Sequence, residues 1–531
     1  MVRRETQKQS YWEKFAVQGF DLEYLYGVLL EKEVPLSIDE LALAVIEGRC
    51  KREEKLIKGK LEQGRLFQPK ESYEVGERLV FPAFDYALGT VINVRPGRNP
   101  KYEPFKVIRV RFEESQEERE FASELKAPDA LKEGSELVLA SPEELFARFG
   151  EEIKPKLIES LQTSKEFVNF RDQWFLDGLL ADIHVGHLNI AEAAIEVKGV
   201  PLSPEELLKE LDFPTKMKRE ALLFSLNYAL SHDDRFDEVG TKEQILWFLH
   251  RLEPPQAVEL PFHLRYRPEP YDRSVLDEEM LGLEREIADE LVEAPAPGEG
   301  SIGQVTIVLT YPHRRAGTIP LTAEVRGLFP WGDSSNQTST QRTFVTFIDG
   351  HTGKHMPGWV VHKAGYVYGL GEWYEEHELP TGAYIQLECT EDPLSVRVSY
   401  LPKPRRRGWV RVAKALEGKL AFELQMRALA CDYDELMIVD WEDPAELDEL
   451  SRKVEEEGIS LFQLMCDVFP ELAKLSPQGT VHFRTLYSAI NIERRCPPGP
   501  ILAELATRPC FIPVGDGYWI YDENLREWSD R

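Results

Sequence analysis

Val34-Pro-Leu-Ser-Ile-Asp-Glu-Leu41 and Val200-Pro-Leu-Ser-Pro-Glu-Glu-Leu207 are two versions of one phrase, and they decide how the chain is divided. In each, a serine and the glutamate three residues on (Ser37 with Glu40, Ser203 with Glu206) form a capping box, which satisfies orphan amides at a helix start. An amphipathic helix precedes each phrase, Asp21 to Glu31 and His187 to Val197. A third helix is expected after it, Lys51 to Gln63 in the first copy and Thr215 to Leu230 in the second. β-rich stretches follow, Arg65 to Gly76 and Asp234 to Gly240. Three helices closed by a two-stranded wing make a winged helix, and the repetition makes it the unit of architecture. Val481 to Ile492, Ile501 to Ala506 and a hairpin around Gly515-Asp516-Gly517 spell a shorter third copy.

With 531 residues the chain exceeds one hydrophobic core and divides into several domains. Its composition, 42% hydrophobic and 30% charged, is that of a folded protein, which excludes global disorder. No stretch reaches the roughly 18 apolar residues of a membrane span, and the polar start, Met1 to Ser10, predicts no secretory leader. The six cysteines show no C-x-x-C and no paired Cys/His spacing, so a reducing cytosol is expected, or the nucleoid if the protein binds DNA, with no structural zinc and no cofactor. Net charge is -29, from 64 Lys+Arg against 93 Asp+Glu, which opposes phosphate binding unless cations are pooled. They are pooled in places: Val91 to Phe112 is basic, and so is the run from Lys403 to Arg411, while Asp277 to Glu293 and Glu442 to Glu457 hold much of the acid as solvated helix faces.

The order of apolar helix, x-Pro-Leu-Ser-x-x-Glu-Leu, helix and Arg-Phe-x-x-Val-Gly resembles the HARE-HTH family of RNA-polymerase delta subunits, chromatin regulators and restriction enzymes. The resemblance implies that the third helix faces nucleic acid, presenting Lys51, Arg52, Lys55, Lys58 and Lys60 in copy one and Lys216, Lys218 and Arg219 in copy two. The same residues are also good, soluble helix formers. Between the copies, Glu77-Arg-Leu-Val-Phe-Pro, Gly89-Thr-Val-Ile-Asn-Val-Arg and Phe105-Lys-Val-Ile-Arg-Val-Arg-Phe alternate with period two and resemble SH3-like Tudor barrels, including that of CarD-type factors. On this barrel Arg95, Arg98, Lys106 and Arg109 either touch phosphates or form the outward half of their strands.

Strands from Gln304 to Tyr400, with a helix at Gly371 to His377 and Leu379-Pro-Thr-Gly382 after it, resemble the seven-stranded DNA-binding pseudobarrel of plant transcription factors. That resemblance implies recognition arms near Leu328 to Arg342 and Ala364 to Gly369, with Arg342 at an edge. The Pro-flanked run Pro402-Lys-Pro-Arg-Arg-Arg-Gly-Trp409 offers Arg405, Arg406 and Arg407 to phosphates and Trp409 for stacking, or serves as a basic linker.

The expected fold class is multidomain α+β. Its parts are a winged helix (1–70), an SH3-like barrel (71–130), a helical linker (131–165), a second winged helix (166–260), an acidic helix and Pro/Gly linker (261–300), a pseudobarrel (301–402), a basic linker with a helical region (403–475) and a winged-helix-like module (476–531). Catalytic spellings are incomplete. Asp182-Ile-His184-Val-Gly186-His187 lacks the later phosphoesterase motifs, Glu196-Val-Lys198 falls on a helix where a nuclease needs strands, and Gly298 to Gly303 lacks every other kinase element. His351 and His355 lack a third ligand. The expected function is therefore non-enzymatic binding of duplex DNA, RNA polymerase or another DNA-bound complex. The alternative is an interaction scaffold or the recognition subunit of a defence system; neither reading involves a membrane.

Overall fold

Ser37 caps a helix as its sequence requires: its Oγ accepts from the Glu40 amide at 3.2 Å, and the Glu40 carboxylate accepts from the Ser37 amide at 2.8 Å. Ser203 and Glu206 repeat the pair at 3.3 and 3.1 Å. The computed structural model describes residues 4–84, 86–98, 104–125, 140–211, 213, 216–292, 303–329 and 342–526. The chain forms two units, Met1–His187 with Asp212–His232, and Leu188–Leu211 with Asp233–Arg531.

In the first unit the helix begun at Ser37 runs unbroken over Ile38–Gln63, so the two helices expected there are one. The stretch after Gly48 is built mainly from Lys, Arg, Glu, Leu and Ile without proline, and nothing in it stops a helix. Gly48 itself allows close contact, since a Cβ there would lie 2.7 Å from the Tyr24 ring on the helix Gly19–Lys32. Arg49 and Asp21 join the same two helices in a buried bidentate pair at 3.0 and 2.6 Å. The stretch 65–76, expected as a wing, belongs to another sheet. Leu36–Ser37 pairs with Gln173–Leu176, which pairs with Phe167–Phe170, and Trp174, Phe175 and Leu176 enter the core beside Leu41 and Leu157. The helix Pro142–Thr163, expected as a linker, supplies Leu157 and is the third helix of this pack.

Arg65–Leu66 instead opens a five-stranded sheet, followed in order by Arg78–Phe81, Ala87–Pro96, Lys106–Phe112 and Glu118–Ser123. Phe67, Phe81, Phe112 and Phe121 fill its interior. This small sheet is thus inserted within the first helical module, which explains why the module's own hairpin lies so far along the chain. The second copy's third helix, Arg219–Ser231, belongs to the first unit, where Ala221 and Phe224 join the core and Ser225 Oγ accepts from the Ala181 amide at 2.9 Å.

In the second unit, Leu202 bridges to Trp247, and Trp247–Leu249 pairs with Phe236–Glu238. Near the C-terminus, Val481–His482 pairs with Tyr518–Tyr521, which pairs with Phe511–Gly515, after the helices Leu461–Ala473, Phe483–Glu493 and Pro498–Thr507. All three copies therefore share one chain order (helix, strand, helix, helix, strand, strand) and one sheet order, with the last strand in the middle.

Between the second and third copies lies a seven-stranded sheet curled into a half-barrel. Its spatial order is Gln304–Val308, Tyr384–Cys389, Ser395–Tyr400, Arg342–Asp349, His355–Val361, Tyr366–Tyr368 and Thr318–Pro320. Val325, Trp373 and Tyr374 from two short helices pack into its core. Gly382 has φ +93°, and a Cβ on it would meet Ile438 at 2.8 Å, so the turn after the second helix requires glycine. Beyond the half-barrel, 412–431 is not helical. Pro402–Leu416 and Lys419–Cys431 form a long hairpin, closed by Glu417 and Gly418 at φ 52° and 76°, the two positive values of a type I′ turn.

Half-barrel and C-terminal module are joined by a buried charge network. Arg495 donates to both oxygens of Asp289 at 2.7 and 2.8 Å and to Glu290 at 3.0 Å; Tyr487 donates to Asp289 at 2.8 Å. Glu290 is also 3.0 Å from His313 Nε2, and His313 Nδ1 is 2.8 Å from Thr318 Oγ1. Burial alone would raise the Glu290 carboxyl, but Arg495 and His313 hold it below its ordinary range. Replacing Arg495 by alanine leaves two carboxylates buried without their cation and is expected to cost roughly 3–5 kcal/mol in urea unfolding. A loss of under about 1 kcal/mol would show that the network does not bear on stability.

Candidate nucleic-acid interface

Most cations on the five-stranded sheet are answered by nearby glutamates. Register sets Arg109 opposite Glu120 and Arg111 opposite Glu118, and the ion pairs close at 3.0 and 2.7 Å. Arg95 reaches the same Glu120 at 2.5 Å, and Lys106 meets Glu124 at 2.8 Å. Arg119 and Arg78 pair with Glu117 and Glu113, both at 2.7 Å. Exposed pairs of this kind add little stability, but each removes a free charge from the surface. Arg98 is exposed and enters no ion pair among the described residues. The sequence signal for this neutralisation was the glutamate run from Glu113 to Glu124.

On the long helix, Lys51 pairs with Glu47 at 3.1 Å, and the Arg52 guanidinium stacks 3.8 Å from the Phe20 ring centroid. Lys55 and Lys58 are exposed without ion pairs among the described residues, but they share the helix with Glu53, Glu54 and Glu62. In the second copy, Lys218 donates its ammonium to the Lys32 carbonyl, while Lys216 and Arg219 stand exposed and unpaired among the described residues. The helix in third place in copy one, Pro142–Thr163, is acidic, and Pro498–Thr507 in copy three is mostly buried. The cations expected as a basic face on the long helix thus lie interspersed with carboxylates.

Arg342 points inward. It lies 3.0 Å from Glu253 and 3.7 Å from Asp237, and Asp237 in turn is 2.7 Å from His250 Nδ1. Asp237, His250 and Glu253 have the spacing of a metal site, and no other such group occurs among the described residues. The guanidinium already supplies the cation, so the arrangement reads as a joint between the half-barrel strand and the hairpin Phe236–Leu249. The Phe344 amide, donating to the Val239 carbonyl at 2.8 Å, reinforces that joint. Residues 330–341 of the first expected arm lie outside the described residues.

The run 402–409 is the exception. It is exposed strand in the hairpin with 419–431, where Trp409 faces Met426 and Arg407 faces Ala428. Trp409 is 65% exposed, Met426 51% and Leu424 44%. Lys403 and Arg405 make exposed pairs with Asp432 and Glu378 at 2.6 and 2.9 Å. Arg406 and Arg407 are exposed and make none among the described residues. Arg411 turns away, donating to the Glu435 and Leu436 carbonyls at 2.7 Å, and its burial pushes the guanidinium down to about 10.

The catalytic spellings lead to other roles. His184 and His187 stack at 3.9 Å, Glu196 pairs with Arg251 at 2.9 Å, Lys198 lies 3.6 Å from Glu206, and His351 Nε2 is 3.2 Å from the Tyr400 carbonyl. Gly298 and Gly300 lie outside the described residues. Among the described residues no helix is long and apolar enough to cross a membrane. No family model, curated protein or solved structure matches the chain.

Burial outweighs the Arg342 guanidinium at Glu253 and pushes its carboxyl up to about 7. A raised carboxyl contributes stability that is complete below its unfolded pKa and is lost as pH climbs to the folded value. The melting temperature of Glu253→Gln, measured relative to the natural chain, is therefore expected to rise between about pH 5 and about pH 8. A difference independent of pH would mean that Glu253 does not titrate in this window.

Proposed function

We propose that this is a non-enzymatic, modular DNA-associated protein whose contact with the duplex is concentrated on the ribbon around Arg406, Arg407 and Trp409. The observation that carries this reading is that these two arginines enter no ion pair among the described residues and lie on an open two-stranded ribbon, while the cations of the five-stranded sheet are largely paired. A two-stranded ribbon fits the major groove, guanidiniums fork onto phosphates, and an exposed indole can stack. The shared helix and strand order of the three copies supports reading each as a winged-helix module of the HARE-HTH kind, with the Tudor-like barrel inserted in the first. Acidic or buried third helices suit these modules to assembly, with polymerase or another DNA-bound complex as the partner class.

A second reading is favoured by one feature. Leu424, Met426 and Trp409 leave an apolar stripe on the ribbon, and the chain carries a charge of -29, both of which suit a protein partner. Gel-shift titrations at low salt separate the two. Duplex binding should weaken in the Arg406→Ala, Arg407→Ala double variant, with the salt slope reduced by about 2, one for each phosphate contact. Absence of duplex binding by the natural chain at low salt would overturn the DNA reading.

A further inference from the structure

A cleft of about 430 Å³ opens in the second unit between the segment 262–270, the end of the helix Pro444–Glu457 and the end of the helix Phe483–Glu493. Its volume is that of a small-molecule site. The wall is apolar at Phe262, Pro268, Val454 and Ile459, and the Arg452 guanidinium 5.6 Å from the Phe262 ring steadies that face.

Charge in the cleft runs against the rest of the chain. Arg265 and Arg267 line it, are exposed, and enter no ion pair among the described residues. Arg494 is positioned by Glu269 at 2.6 Å and by the Ile459 carbonyl at 3.0 Å, so Glu269 is already engaged. Glu493 is buried, and desolvation, added to by Asp467, pushes it up to about 7, which leaves it a weak anion at neutral pH. Glu455, the third lining carboxylate, enters no ion pair among the described residues. Ser460, the cap of the helix Leu461–Ala473, stands at the edge, so the positive end of that helix adds to the same field.

We propose that this cleft binds a small organic phosphate of nucleoside monophosphate size, with Arg265 and Arg267 on the phosphate and the apolar wall against the organic part. Guanidinium forks suit phosphate geometry, and the apolar wall has no use for a bare inorganic ion.

Isothermal titration of the full chain with adenosine monophosphate, and separately with inorganic phosphate, tests this. Saturable binding of the nucleotide is expected, with inorganic phosphate about tenfold weaker or more. The Arg265→Ala, Arg267→Ala variant should lose about tenfold or more, as removal of a charge-assisted hydrogen bond does, with its melting temperature unchanged because both side chains are exposed. The Arg406→Ala, Arg407→Ala variant should bind as the natural chain does. No saturable heat with either probe, equal affinity for the two probes, or equal losses in both variants would overturn the assignment.

Discussion

Arg495 is the hub on which the second unit is organised. Its guanidinium is buried, spans Asp289 and Glu290, and through Glu290 and His313 reaches the first turns of the half-barrel. A buried ion network of this kind adds little net stability over a well-packed apolar equivalent, but it penalises any arrangement that separates its members. It ties together a segment before the half-barrel, a helix within it and the C-terminal module, and parting any one of them would leave buried charge without its partner. That fixed junction holds both ends of the Pro402–Cys431 hairpin, with Cys431 in the half-barrel core and Ala413, Leu420 and Phe422 in the C-terminal core. The stretch between is the exposed ribbon.

Much of the local structure was legible. Both capping boxes, the half-barrel strands from Gln304 to Tyr400 and the C-terminal hairpin follow from spacing and turn residues, because each is set by contacts within a few residues. What was not legible was partnership at long range. The hairpin closing the first module comes after the inserted sheet, and nothing in Leu36-Ser37 specifies Trp174 as its neighbour. Residues 412–431 are rich in Ala, Leu, Lys and Glu, which favour helix, yet the turn at Glu417-Gly418 and burial against two cores impose strand. Tertiary context overrode propensity there.

The residue types of the candidate site were legible, but their partners in space were not. Val91 to Phe112 is basic in sequence, but the pleat places Arg109 and Arg111 directly beside Glu120 and Glu118 of the next strand. Arg342 looked like an arm residue because sequence cannot show that its side chain turns toward Glu253. The arginine run shows its residue types in sequence, but its exposure depends on the long-range pairing of the hairpin that holds it open.

Distance decides between these charges. A carboxylate 3 Å from a guanidinium acts at full strength, so the strand pairs leave little field for a phosphate to meet. Of the acid behind the net charge of -29, whatever lies beyond about 8 Å is largely screened at physiological salt. A strongly acidic protein is thus able to grip an anion where two guanidiniums stand without an ion pair of their own. Arg406 with Arg407, and Arg265 with Arg267, are two such couples without an ion pair among the described residues. The first sits on an open ribbon suited to a polymer, the second beside a closed cleft suited to a small molecule. Shape, rather than total charge, separates the two kinds of anion.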